Sequence, residues 1–246
     1  MQPEMIPTTY SRLSGVERRY GAAPRMVCNF GLLGLPEMMY YLYLPVRMRG
    51  YRIAGNAASR LPDWRGSPLL LPDPLRGLYD LVQVAEAASL VTTGRVYQYT
   101  YVSARRGWAT PDAPLNRPGW HADGFGTDDL NYVWWKGAGT RFAVQEFRDI
   151  SSDHKESIRQ FEEQIDPAAV RTYPPGYLWQ LTPYVVHATP VIPAPGEWRE
   201  YIKVSLSDHR YNLAGNSHNY LFDYDWPIVG REEVRNDTFK AGRDYA

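Results

Sequence analysis

The chain has one cysteine, no net charge and no long apolar run, and each shortage removes a class of protein. Cys28 stands alone, so no disulfide can close within the chain, and a reducing cytoplasm is the expected setting. Basic and acidic residues number 27 each among 246. A chain so balanced exerts no long-range attraction on nucleic acid or an anionic membrane; only a local basic groove would do so. The most apolar stretch, MMYYLYLPV at 38–46, falls far short of the ~20 residues of a membrane span, and Pro45 interrupts it. The opening MQPEMIPTTYSRLSG lacks a basic segment followed by an apolar run, so no signal peptide is expected. Repeats, low-complexity tracts and evident linkers are missing too, which leaves a single domain over 1–246 as the expectation.

Aromatic residues are plentiful, with 19 Tyr and 8 Trp. Such rings give wide, stiff surface with a polar tip, suited to a lined cavity or an interface as well as to a core. Twenty Pro and twenty Gly cut the chain into short pieces. Two helices are expected. Over 75–91, Leu75, Leu78, Val82 and Ala85 fall at helical spacing. Over 153–165, Asp153 and Glu156 form a capping-box pattern ahead of Ile158, Phe161 and Ile165. The other patterned segments are strands: 40–48, 96–104, 131–135, 140–147, 177–181, 184–192 and 199–207. Short strands separated by turn residues indicate a sandwich or barrel, so a mostly β, double-sheeted fold buttressed by the 75–91 helix is expected.

Five histidines exist, at 121, 154, 187, 209 and 218. His121 and Asp123, in PGWHADGF, are two residues apart, so on an extended segment their side chains leave the same face. His187 lies in YVVHATPVI, a strand-like run of apolar and β-branched residues. A lone histidine in such a run is more often a satisfied core residue. With an upstream H-x-D it becomes the third member of a two-histidine, one-carboxylate set, which occupies one face of octahedral non-haem Fe(II) and leaves positions open. His154 is expected in solvent, and His209 and His218 are expected to be structural.

His121-x-Asp123, His187 and a basic residue in the next strand together resemble the Fe(II)/2-oxoglutarate-dependent dioxygenases over roughly residues 95–207. The stretch SDHRYNLAGNSHNYLFDYDW at 207–226, together with GTDDLNYVWW, resembles uncharacterised superfamily members from bacteriophage and environmental genomes, which would make modified nucleobases or protein side chains the substrates. The resemblance implies a double-stranded β-helix, a jelly-roll barrel of cupin type. Its core would span 95–207, preceded by N-terminal strands and a buttressing helix over 1–94 and followed by an extension over 208–246. It also implies Fe(II) held by His121, Asp123 and His187 as the catalytic centre, with 2-oxoglutarate and O2 as cosubstrates. Succinate, CO2 and a hydroxylated substrate would be the products.

In that family an Arg or Lys on the eighth core strand binds the far carboxylate of 2-oxoglutarate. Arg199, Tyr201, Lys203 and Ser205 share one parity here, and Ile202, Val204 and Leu206 share the other. The apolar set should face the helices and the polar set the barrel interior. A bidentate guanidinium favours Arg199, twelve residues after His187, with Lys203 and Ser205 as the alternative. Tyr99, Tyr101 and Tyr132 are candidates for an added phenol hydrogen bond to the cosubstrate. The loop after the motif carries Gly124, Gly126, Asp128 and Asp129 and would flank the substrate entrance, where its acids would meet a cationic or hydroxyl-rich substrate or simply cap a solvated turn. Neither substrate nor macromolecular partner is specified: a small molecule or a macromolecule fits, a membrane does not, and net charge gives nucleic acid no support. Two other readings stay open: a non-redox metal-binding cupin such as an isomerase, and a metal-free β-sandwich binding or structural protein such as a virion component.

Overall fold

The structure, a computed structural model, describes residues 19–36, 39–55, 67–124 and 127–230. Twelve strands are formed among them: β1 (Arg25–Asn29), β2 (Met39–Met48), β3 (Arg52–Ile53), β4 (Tyr99–Ala109), β5 (His121–Ala122), β6 (Leu130–Lys136), β7 (Arg141–Ala143), β8 (Val170–Thr172), β9 (Tyr177–Leu181), β10 (Val186–Ala188), β11 (Glu197–Ser207) and β12 (Phe222–Asp223). Two helices accompany them, α1 (Tyr79–Thr93) and α2 (His154–Gln164). The six-stranded sheet runs β1-β9-β6-β11-β4-β2 and the four-stranded sheet β5-β10-β7-β8, while β3 and β12 form a small ribbon. Neighbours within both larger sheets pair antiparallel. The molecule is therefore mostly β with two antiparallel sheets and few helices. None of the described helices is long and apolar enough to cross a membrane.

Strand β11 is the spine, pairing with β4 over its whole length and with β6 over 200–206. Side chains alternate across a strand, so one set must face each way. Ile202, Val204 and Leu206 join Val102, Ala104, Leu130, Tyr132 and Trp134 in a cluster completed by Leu75, Leu78, Leu81, Val82 and Ala85. On the opposite face, Val133, Trp135 and Tyr201 meet Phe142 of β7 and Val185 ahead of β10. The second face looks into the space between the two sheets, where polar residues gather as well.

The first expected helix opens with a tight 3-10 segment at Asp73–Leu78 before α1 begins, because prolines at 72 and 74 fix the entry. It ends at Gly94, which caps it with φ +68, a left-handed conformation that glycine adopts without steric cost. The second keeps its N-cap: Asp153 accepts from the backbone of Lys155 and Glu156. Asp153 N donates to Ser151 Oγ, and Glu156 accepts from Arg159.

Candidate metal centre

Two strands of the small sheet carry the two histidines. β5 and β10 pair antiparallel with His121 directly opposite His187, ring centroids 4.6 Å apart. Asp123 follows β5 at the turn closed by Gly124, whose φ is +71. A side chain at 124 would be strained there and would also crowd Thr127 Oγ1. Ligand atoms of His121, Asp123 and His187 all lie within 4.8 Å of one another, and His187 Nε2 is 3.5 Å from Asp123 Oδ2.

Both imidazoles are oriented by the backbone. His121 Nδ1 donates to Gly119 O at 2.9 Å and His187 Nδ1 to Val185 O at 3.1 Å. A carbonyl only accepts, so each Nδ1 bears a proton, and in the neutral form of each ring Nε2 is the free lone pair. This is the tautomer and support that metal-binding histidines require. Burial and the neighbouring His187 push His121 down to about 3, so its ring stays neutral across the physiological range. Burial alone would raise the Asp123 carboxyl. The Lys203 ammonium overcomes it and holds Asp123 well below the usual carboxylate range. The donor set thus fits a first-row divalent ion: two neutral nitrogens and one carboxylate converge from one side.

The three residues line a cavity of about 250 Å³ together with Tyr43, Ser103, Arg105, Asn116, Thr140, Tyr201 and Lys203, among others. Lys203 Nζ donates to Asp123 Oδ2 and to Tyr43 Oη, each at 2.9 Å. Burial opposes that charge, but Asp123 and Tyr43 outweigh it and raise the Lys203 ammonium above its ordinary range. Tyr43 sits at an irregularity in β2 with φ +46, uncommon for a residue with a side chain, and its N donates to Ser103 Oγ. Bulges that re-aim a side chain are frequent beside functional sites. Composition and parity say nothing of Tyr43, Arg105 or Asn116, because each reaches the cavity through pairing or loop geometry.

Other expected contributors lie elsewhere. Tyr132 has the opposite parity: it packs in the α1 cluster, where Gln180 donates to its phenol at 2.8 Å. Both parities of β6 are mainly apolar or aromatic, with one polar residue each (Asn131 and Lys136), so periodicity could not place it. Tyr99 faces inward but is covered by Met48, Phe222 and Trp226, with its hydroxyl 3.2 Å from that of Tyr51. Tyr101 stacks on Tyr211 and donates to His209 O. Ser205 donates to Asn131 at 2.6 Å and is absent from the cavity wall. Arg199 is wholly buried and stands behind that wall rather than in it, donating to Ala138 O at 2.9 Å and Asn116 Oδ1 at 2.7 Å.

A second group, Asp128, Asp129 and His209, also brings its ligand atoms within 4.8 Å. Arg95 engages Asp128 and Asp208, and Tyr211 donates to Asp129 at 2.6 Å. These pairings tie the loop after the motif to the segment following β11. The loop's Gly126 lies outside the described residues. His154 hydrogen-bonds Arg117 at the surface, and His218 stacks on Tyr224.

No protein-family model and no curated protein matches the chain. Among solved structures it is similar to EvdO2 from Micromonospora carbonacea var. aurantiaca at 17% identity, with a TM-score of 0.33 over 57% of this chain and 68% of that one. A second structure of EvdO2, complexed with 2-oxoglutarate, matches at 17% identity and a TM-score of 0.34 over 63% and 76%. A likeness of that size fixes neither activity nor ligand.

Proposed function

We propose that this chain is an Fe(II)- and 2-oxoglutarate-dependent oxygenase that hydroxylates its substrate. The observation that carries the reading is the meeting of His121, Asp123 and His187 at one end of a cavity, both Nδ1 atoms tied back so that both Nε2 atoms are bare. The strand order supports a double-stranded β-helix. Numbering β4 to β11 one to eight, the large sheet reads one-eight-three-six and the small sheet two-seven-four-five, the interleaving a jelly roll requires. A metal-free sandwich gives no role to two backbone-oriented histidines and a carboxylate that converge on one cavity. A non-redox cupin shares the metal but has no use for an anionic cosubstrate beside it.

Bound at this site, the ion would couple oxidative decarboxylation of 2-oxoglutarate by O2, to succinate and CO2, with insertion of the remaining oxygen atom into a substrate C–H bond. The chain's own residues bind, orient and shield. His121 and His187 present neutral nitrogens, and Asp123 supplies the negative charge. All three approach from the strand side, leaving the cavity side for other ligands. Lys203, itself hydrogen-bonded to Tyr43, orients the carboxylate, and the sheet walls limit water. The test is anaerobic addition of Fe(II) and 2-oxoglutarate. The weak visible charge-transfer band of a chelated 2-oxo acid should appear in the native chain and be lost in Asp123→Ala. A native chain without the band, at saturating metal, sinks the reading.

A further inference from the structure

Besides Lys203, the cavity is lined by two further cations, Arg105 and Arg117, and the strand register places Arg105 relative to the ligand triad. Opposite residues on β11 and β4 share a face: Lys203 with Ser103, Tyr201 with Arg105, Arg199 with Gly107. Lys203 marks the level of Asp123, being hydrogen-bonded to it. One same-face step along the strand is about 7 Å and two steps about 13 Å. Arg105 and Tyr201 are one step away and line the cavity; Arg199 is two steps away and does not. A five-carbon diacid chelating at the ligand triad reaches the first level; the Arg199 guanidinium folds back to 5.1 Å from the Tyr201 ring centroid but stays outside the cavity lining, behind Asn116.

Arg105 is also poised to accept an anion. Its Nη1 donates to Leu115 O and its guanidinium lies over the Tyr40 ring, 4.2 Å from the centroid. Among the described residues no carboxylate pairs with it. Tyr201, buried but bordering the cavity, makes no side-chain hydrogen bond among them either. Arg199 takes the acceptor Oδ1 of Asn116, leaving the donor NH2 as the free end of that carboxamide, and Asn116 borders the same cavity. This end therefore offers a guanidinium, a phenol and an amide, donors suited to a carboxylate.

We propose that Arg105, on β4, holds the far carboxylate of the 2-oxo diacid, with Tyr201 opposite it, and that Arg199 is a positioning residue that fixes Asn116 from behind. The proposal rests on the oxygenase reading above and departs from the eighth-strand anchor which that resemblance implies. Lys203 is committed to Asp123, and Arg117 reaches the cavity from an exposed loop with Nη1 against His154.

The experiment measures binding, with Zn(II) in place of iron so that no turnover occurs. Calorimetry on the full chain compares 2-oxoglutarate with 2-oxopentanoate, which keeps the chelating end and the chain length but lacks the far carboxylate. The native protein should prefer 2-oxoglutarate. Arg105→Gln should weaken 2-oxoglutarate at least tenfold and change 2-oxopentanoate less than twofold, with Arg105→Lys in between. Arg199→Gln should weaken both ligands to a similar degree, the mark of a displaced wall. The proposal is overturned if Arg105→Gln leaves the preference intact or weakens both ligands equally. It is overturned equally if the preference vanishes instead in Arg199→Gln, Lys203→Gln or Arg117→Gln. Zinc-loaded native protein that binds neither 2-oxo acid would bring down the oxygenase reading itself, a result distinct from all of these.

Discussion

The two faces of the six-stranded sheet are built by the same strands and obey different physics. Toward α1, Val102, Ala104, Tyr132, Trp134, Ile202, Val204 and Leu206 make a close-packed apolar layer. Toward the small sheet, the alternating residues Ser103, Arg105, Tyr201 and Lys203 border a polar cavity. The first face stabilises by area removed from water, where each side chain contributes by its volume and fit. The second buries charges and donors that are costly unless paired, and what it gains is a site with fixed geometry. Substitutions on the two faces should therefore fail in different ways.

The largest effect belongs to the packed face. Trp134 is fully buried and its Nε1 donates to Gly31 O at 3.1 Å. Trp134→Ala should cost about 3–5 kcal/mol in urea unfolding, through lost transfer energy and an unfilled void. Zinc stoichiometry below the transition should be unchanged. Loss of metal binding at full folding would show that the faces are not separate.

The next effect is the acid response of the cavity face. Burial, with His187 close by, holds His121 down to about 3, while Asp123 pulls the other way and Arg117 adds to the depression. The unfolded chain takes up the same proton near 6.5. Between those values the unfolded state binds more protons, so stability is full above about 6.5 and falls as pH drops toward 3. For one such group the slope reaches at most about 1.4 kcal/mol per pH unit. Urea midpoints of the metal-free protein at several pH values should show this decline, and His121→Gln should flatten it. An equally steep decline in the variant would assign the acid sensitivity to other groups.

The smallest effect sharpens the contrast. Lys203 places an ammonium where a divalent ion would add further positive charge beside Asp123. Lys203→Met should tighten zinc by about tenfold, near 1.4 kcal/mol, while lowering the stability of the metal-free protein, whose Asp123 loses its counter-charge. Competition with a chelator checks the first and thermal unfolding the second. Weaker zinc binding would mean that Lys203 serves mainly to orient the ligand carboxylate.

How much of this was legible before folding is uneven, for identifiable reasons. The parity of 199–206 was plain, because Ile202, Val204 and Leu206 alternate with polar residues, and the packing follows it. The histidine pair and Asp123 stood out by residue type and two-residue spacing. β5 and β8, of two and three residues, carry too little pattern to be seen, and the strand expected over 140–147 closes after Ala143. Tyr132 could not be placed, since Leu130, Tyr132 and Trp134 look no more apolar than Val133 and Trp135.

By itself, then, the sequence determined the period of each strand, the apolar stripe that became α1 and the ligand types available. Those depend on neighbours within a few residues. Tertiary structure alone decided that His121 sits opposite His187 and that Tyr43 bends toward Lys203. It also decided that Arg105, rather than Arg199, borders the cavity. Each of these is a matter of register between segments far apart in the chain. Register is set by how whole faces pack, and a shift of one residue would turn every one of these side chains to the other side of the sheet.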